Sequence, residues 1–329
     1  MTVLFGVFLL TLLVITAIAI VRTKNLFVAV MLLGIFSLLI AANFFVLDAA
    51  DVALTEAAVG AGISTVLFLG ALALTSEFER TPTRRRGLSL AVVVCATLVV
   101  LYATFDKPTF GDPNAPVHQH VAPWYLENEP ELIDIPNVVT AVLGSFRGYD
   151  TLGEVFVVLT AGIGVLFLLS ARPGAGARGR QAARDGSRIG LQNDVIPRVV
   201  GRMLVPFILL FGLYVQFHGE YGPGGGFQAG ALIAAAFILY ALIEGEERTL
   251  EVLPRNTLIA LAAGGALLYG AVGIAGILMG AEFLNYSVLA SDPITGQQWG
   301  IILIEAGVGM TVSGVLLLVF HAFAARDQA

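Results

Sequence analysis

The sequence predicts an all-α polytopic membrane protein with nine transmembrane helices, the N-terminus outside and the C-terminus inside. Three observations carry that expectation. Apolar residues make up 57% of the chain and charged residues 13%, against roughly 25% charged in soluble domains, and mean hydropathy is +0.87. Nine stretches approach the roughly 20 apolar residues that a spanning helix needs. Threaded alternately through a bilayer, these stretches leave nearly all Lys and Arg on one side, as the positive-inside rule requires.

The first stretch, 2–21, lacks a charged n-region and runs to full length, so it reads as a spanning helix and not as a cleaved signal. Arg22 and Lys24 separate it from 25–47, and Asp48 and Asp51 separate that from 52–75. Arg80, Arg84, Arg85 and Arg86 precede 87–105. Segment 106–150 is external, acidic and Pro-rich, and within it PNVVTAVLGSF (136–146) has the character of a short interfacial helix. After 151–170 comes ARPGAGARGRQAARDGSR, part of a Gly-, Ala- and Arg-rich stretch, 171–196, that cannot bury a core. It reads as a basic cytoplasmic linker held near anionic headgroups. Four further stretches follow: 199–217, 227–244, 257–280 and 300–323. With the N-terminus outside, only Lys107 and Arg147 of the 18 Lys and Arg fall on the outer side. The expected modules are therefore 1–86 with three helices, 87–170 with two, the linker 171–196, and 197–329 with four. No internal repeat supports an inverted-repeat transporter.

Composition excludes several functions. Cys95 is the only cysteine, so no intrachain disulfide or thiolate cluster can form. His118 and His120, without further placed ligands, are weak evidence of a metal site, and no Ser/His/Asp or Cys/His constellation is visible. No basic, aromatic-interleaved surface suggests nucleic acid. The expectation is a non-enzyme without cofactor or resident metal. Trp124, Tyr125 and Trp299 stand where interfacial aromatics belong. Gly276 and Gly280 give a GxxxG spacing, read as ordinary helix packing.

Three carboxylates interrupt the apolar stretches: Glu56, Glu154 and Glu305. An acid at membrane depth costs roughly 2.5 kcal/mol or more, so function is the default hypothesis. Each lies within about five residues of the outer start of its predicted helix, at most roughly 7–8 Å in. Asp51 and Asp150 read as helix N-caps, favoured by the macrodipole. Glu56 and Glu154 fall a turn deeper, where the readings are proton or cation handling or a polar contact between helices. Glu305 carries the same two readings. Small or polar residues share each helical face: Gly60 and Ser64 beside Glu56, Ala161 beside Glu154, Gly309 and Ser313 beside Glu305. A carboxyl in such a narrow seam could exchange protons or hold Na+ transiently through oxygen.

The turn in FHGEYGPGGGFQAG (217–230) has no preceding strand and no Lys, which argues against a phosphate-binding loop. It reads as a structural hairpin packed against partners, with His218 and Glu220 as an alternative proton-exchanging pair at its rim.

Longer stretches resemble a known family. DVALTEAAVGAGI (51–63) resembles the C-terminal region of the large A subunit of Mrp-type multisubunit cation/proton antiporters, which is found as a separate small subunit in membrane-bound hydrogenases. FGDPNAP (110–116) and PNVVTAVLGSFRGYDTLGE (136–154) resemble the two-helix module that follows. DVIPRVVGRMLVPFILLFGLYVQFHGEYGPGGGFQAGALIAAA (194–236) and IEAGVGMTV (304–312) resemble the four-helix B subunit. The resemblance implies a cell-membrane subunit that bridges large antiporter-like and small membrane subunits, with H+ and Na+ as the transported ions. It places Glu56 and Glu154 at positions proposed to join an ion path. Two departures stand out. No Lys lies in any spanning stretch, so the chain lacks the lysine/glutamate pairs of the large subunits. Glu220 stands where B subunits commonly carry His. A related implication is the membrane module of a redox complex, and a third is a structural adaptor.

Overall fold

The computed structural model describes residues 2–79, 86–109, 111–170 and 195–327. Most of the expected basic linker, together with Arg80, Arg84 and Arg85, lies outside them. Nine helices among the described residues are long and apolar enough to cross a membrane. We number all helices in order. The spanning ones are α1 (Thr2–Arg22), α2 (Leu26–Val46), α3 (Ala50–Ala73), α4 (Arg86–Thr104), α7 (Gly148–Ser170), α8 (Val195–His218), α9 (Gly226–Glu244), α11 (Arg255–Leu278) and α12 (Pro293–Asp327). Shorter helices are α5 (Ala122–Leu132), α6 (Val138–Ala141) and α10 (Glu246–Val252).

Most boundaries agree with the hydropathy reading to within a few residues. The main difference is α12, which starts seven residues before the expected 300 because PITGQQW continues the helix. Asp292 caps that start, accepting the Thr295 amide at 3.0 Å and its hydroxyl at 2.7 Å. A second difference concerns Gly280. It lies beyond the end of α11 at φ +88, with the Ala281 amide donating to the Gly276 carbonyl at 2.9 Å. The GxxxG spacing is thus a helix C-terminus closed by a left-handed glycine. The third is that α3 is π-helical over Glu56–Ile63, and the chain after α6 is π-helical over Val142–Phe146.

The centre of the molecule is α12, which packs against α7, α9 and α11. Small residues let these backbones approach. A β-carbon on Gly230 of α9 would stand 2.8 Å from the Gly309 carbonyl of α12, and one on Gly314 would stand 2.7 Å from the Ala262 amide of α11. Thr311 spends its hydroxyl on the Ala262 carbonyl across the same seam, at 3.1 Å. Around this seam lies the core, with Tyr269, Tyr286, Ile301 and Ile304 wholly buried. Part of the segment between α4 and α7 packs upon it. Ile133 and Ile135 are buried, Gln298 donates to the Ile133 and Asp134 carbonyls, and buried Glu129 accepts the Ile135 amide at 2.6 Å. By contrast α4 stands apart, with its side chains from Gly87 to Thr104 exposed.

The close α9–α12 crossing makes Gly230 intolerant of bulk. Gly230→Val should destabilise the purified chain by about 3 kcal/mol, the upper range for overpacking. Gly153→Ala, where the added carbon meets nothing within 4 Å, should leave the thermal midpoint in detergent unchanged or slightly raised.

Candidate functional site at the junction of α3, α7 and α12

The glycine-rich turn lies against a carboxylate, that of Glu305. Gly225 takes φ +115, which a residue with a β-carbon rarely adopts. Such a carbon would also stand 3.0 and 3.2 Å from the two Glu305 oxygens. At Gly219 a β-carbon would meet first the Gly225 backbone of the turn itself, at 2.8 and 2.9 Å, and then Glu305 Oε2 at 3.2 Å. The turn closes when the Gly225 amide donates to the Val215 carbonyl at 3.0 Å. Glu305 therefore sits against the first turn of α9, where unpaired amides and the helix dipole favour an anion. The hairpin reading holds in this sense, although what the turn grips is another helix of the same chain.

Asn137 ties the turn to the rest of the site. Its Nδ2 donates to Asp51 Oδ1 at 3.1 Å and to the carbonyls of Gly219 and Gly222 at 3.1 and 2.9 Å. Its Oδ1 accepts the Val139 amide and so caps α6. Thr140 adds a 2.6 Å bond to the Gly219 carbonyl. On the opposite wall, Gln228 of α9 donates to Thr55 of α3 at 2.8 Å. These contacts enclose a cavity of about 290 Å³ whose polar lining includes Asp51, Thr55, Thr140, Glu154, Gln228 and Glu305. That is far above the roughly 15 Å³ one water needs, and the lining supplies hydrogen-bond partners.

The expected site residues separate into two groups. Asp51 of α3, Glu154 of α7 and Glu305 of α12 meet at the cavity. Glu305 is twelve residues past Pro293, roughly 18 Å along the helix, so distance from the helix start is not a measure of its level; the shared cavity is. Glu56 is not on the lining. Its carboxyl occupies the space Gly60 leaves, where a β-carbon would meet the Glu56 side chain and stand 2.9 Å from Ser37 Oγ of α2. The small residue expected beside Glu56 is thus the one that accommodates it.

Asp51 and Asp150 require correction as caps. Ala49 occupies the N-cap of α3 without a side-chain bond, and Asp51 lies in the first turn, engaged by Asn137. Asp150 also lies in the first turn, paired with Arg147 at 2.5 Å on the surface. The dipole still favours both positions, but neither residue closes the helix end. His218 stacks on Tyr214, with ring centroids 4.8 Å apart, and no hydrogen bond or ion pair joins it to Glu220 among the described residues. Glu220 offers its carbonyl to the Asn137 amide, while its Oε1 is buried without a partner. Burial raises the Glu220 carboxyl above its ordinary value. Asn137, Thr140, Thr55 and Gln228 escaped the sequence reading. Gln228, an amide in an apolar run, and Asn137, a cap residue after Pro136, were the available signals.

Parts of this chain are similar to known proteins. A domain related to the MnhB subunit of Na+/H+ antiporter matches residues 196–318. Two families of MBH subunits also match, MbhD over residues 11–77 and MbhE over 82–182. The antiporter subunit mnhB2 of Staphylococcus aureus (strain Newman) is 38% identical over 131 residues, covering 39% of this chain and 92% of that protein. The solved Mrp complex from Dietzia sp. DQ12-45-1b contains a chain with TM-score 0.76 and 26% identity, matched over 98% of this chain and 35% of its own length. This chain thus spans about a third of that one. A chain of the archaeal membrane-bound sulfane sulfur reductase, a respiratory membrane complex, matches with TM-score 0.52 and 27% identity, over 71% of this chain and 96% of its own.

Glu220 gives a signed pH dependence. A carboxyl raised by folding costs nothing below its unfolded value, near 4.5, and destabilises progressively as pH rises through the raised folded value. Glu220→Gln should therefore raise the thermal midpoint near pH 8, with the gain over wild type disappearing near pH 4; equal gains at both pH values would contradict the assignment.

Proposed function

The chain belongs to the family of MnhB antiporter subunits, and from that premise we propose that it is a multi-pass subunit of a prokaryotic cell-membrane Na+/H+ antiporter, lending one carboxylate station to an ion path completed by other Mrp-type subunits. The observation that carries this is convergence. Asp51, Glu154 and Glu305 come from three successive helical modules and line one cavity. The modules are 1–86, 87–170 and the B-subunit-like 197–329, joined by the linker 171–196. A fusion that served only to hold partners together would not need an acid from each module at their common junction.

Chemistry follows from the lining. Carboxylates can exchange a proton or coordinate Na+ through oxygen, and Thr55, Thr140 and Gln228 add neutral oxygens suited to a hard cation. Glu305 is the innermost acid and takes the central role. Glu154, which is exposed on α7, serves as the entry. Asp51, held by Asn137, sets the opposite wall. Glu56 faces α2 and would join the path only through partner subunits, and His218 and Glu220 lie at the rim. The sequence contains only two lysines, Lys24 and Lys107, neither within a spanning helix. Proton pumping by lysine pairs therefore belongs to partner subunits. The transported ions are H+ and Na+; no bond-making step, cofactor or resident metal is assigned. The N-out, C-in orientation rests on the segregation of Lys and Arg.

The matches to MBH subunits and to the sulfane sulfur reductase chain favour one second reading, the membrane module of a redox complex. Co-purification of iron–sulfur subunits with the tagged chain separates the two.

In everted vesicles carrying the assembled complex, Glu305→Gln should lower Na+/H+ exchange by about tenfold or more, equivalent to about 1.4 kcal/mol per decade. Asp51→Asn and Glu154→Gln should each cost a smaller factor, with the other subunits still co-purifying. Wild-type exchange in all three variants would reduce the chain to a structural adaptor.

A further inference from the structure

The opposite end of α9 holds a second charged constellation that the ion path does not use. Glu244 is the last residue of α9, and its side chain is 3% exposed. An acid there faces the negative end of the helix dipole, so it needs cationic partners. It has three. Arg202 grips it through Nε and, at 2.8 Å, through Nη2. Arg248 Nη1 reaches it at 2.7 Å, and Arg198 Nη2 at 3.3 Å. One carboxylate balances one guanidinium, so Glu244 by itself leaves two of the three unmatched; the neighbouring Glu246 lies 3.3 Å from His321.

As a staple between α8, α9 and α10, this cluster is over-supplied, because a single bidentate arginine would neutralise Glu244. The surplus is also accessible: the Arg198, Arg202 and Arg248 side chains are 37, 51 and 58% exposed. Each guanidinium has five N–H donors, and Glu244 engages two at most from each. Arg198 and Arg202 stand one turn apart at the start of one membrane-length helix, and Glu244 ends another, so the cluster lies at the boundary of the apolar layer. Beside the arginines, Val199, Met203 and Phe207 form an exposed apolar stripe at four-residue spacing down α8. A forked cationic site above an apolar strip matches an amphiphile with a phosphate head.

We propose that Arg198, Arg202 and Arg248 bind the phosphate of an anionic phospholipid, with an acyl chain along Val199, Met203 and Phe207. Glu244 preorganises the three guanidiniums and sets the surplus charge. The site is independent of the ion path, since it occupies the other end of α9.

The test uses the full chain in neutral detergent, with dioleoylphosphatidylglycerol and dioleoylphosphatidylcholine offered at equal mole fraction and retained lipid counted by native mass spectrometry. Phosphatidylglycerol should be preferred, and Arg248→Gln, which leaves two arginines on Glu244, should cut that preference by about fivefold. Glu244→Gln removes the balancing charge and should increase it. Equal retention of the two lipids would overturn the proposal, as would a preference that neither variant moves, because the lipid would then be held by other basic residues. Displacement by millimolar inorganic phosphate would assign the cluster to a free anion and overturn the lipid assignment. Each variant is checked by far-UV circular dichroism and gel filtration, so loss of fold is not read as loss of binding.

Discussion

Everything near the candidate site depends on seating one carboxylate, that of Glu305, inside a packed helix bundle. Removing an ion from water costs several kcal/mol even after the protein relaxes. The first turn of α9 offers partial compensation, worth at most about 2 kcal/mol in a buried geometry. The shortfall must be met by water, a cation or a proton. The cavity bordered by Asp51, Glu154 and Gln228 is where any of the three would sit. Gly225 then has a physical reason, since a β-carbon there would crowd the Glu305 oxygens, and Gly219 lets the turn's backbone close beside them. Asn137 has one too, holding the turn in register with α3.

The two ends of α9 show one rule applied with opposite sign. An anion at the N-terminus is favoured by the dipole, and Glu305 sits there without an Arg or Lys ion-paired to it among the described residues. An anion at the C-terminus is disfavoured, and Glu244 is met by three arginines. The same helix therefore separates a lightly compensated acid, suited to exchanging its counterion, from a heavily compensated one suited to holding position.

Much of the fold was legible because spanning helices report themselves by length and composition. Nine apolar stretches became nine helices of membrane length among the described residues. What was not legible depends on contacts distant in sequence. Residues 293–299 are polar enough to read as loop, yet they continue α12 because Gln297 and Gln298 find partners in Ser145 and in the carbonyls of Ile133 and Asp134. The π-helical stretch beginning at Glu56 leaves no mark in hydropathy. Glu56 and Glu154 look equivalent in sequence, each six residues past its helix start. Only the packing shows that one faces α2 and the other the cavity. Glu305, which the family resemblance did not single out, is seated by the turn 219–225, some 80 residues earlier in the chain.

The central claim is that Glu305, Glu154 and Asp51 share a polar station. An experimental structure of the intact membrane complex, with ordered water visible, tests it most directly. Ordered waters or a Na+ ion bridging Glu305 to Glu154 or Asp51 are the expected result. A cavity filled by a partner's apolar side chain or a lipid tail, with Glu305 paired to a fixed cation from another subunit, would contradict it.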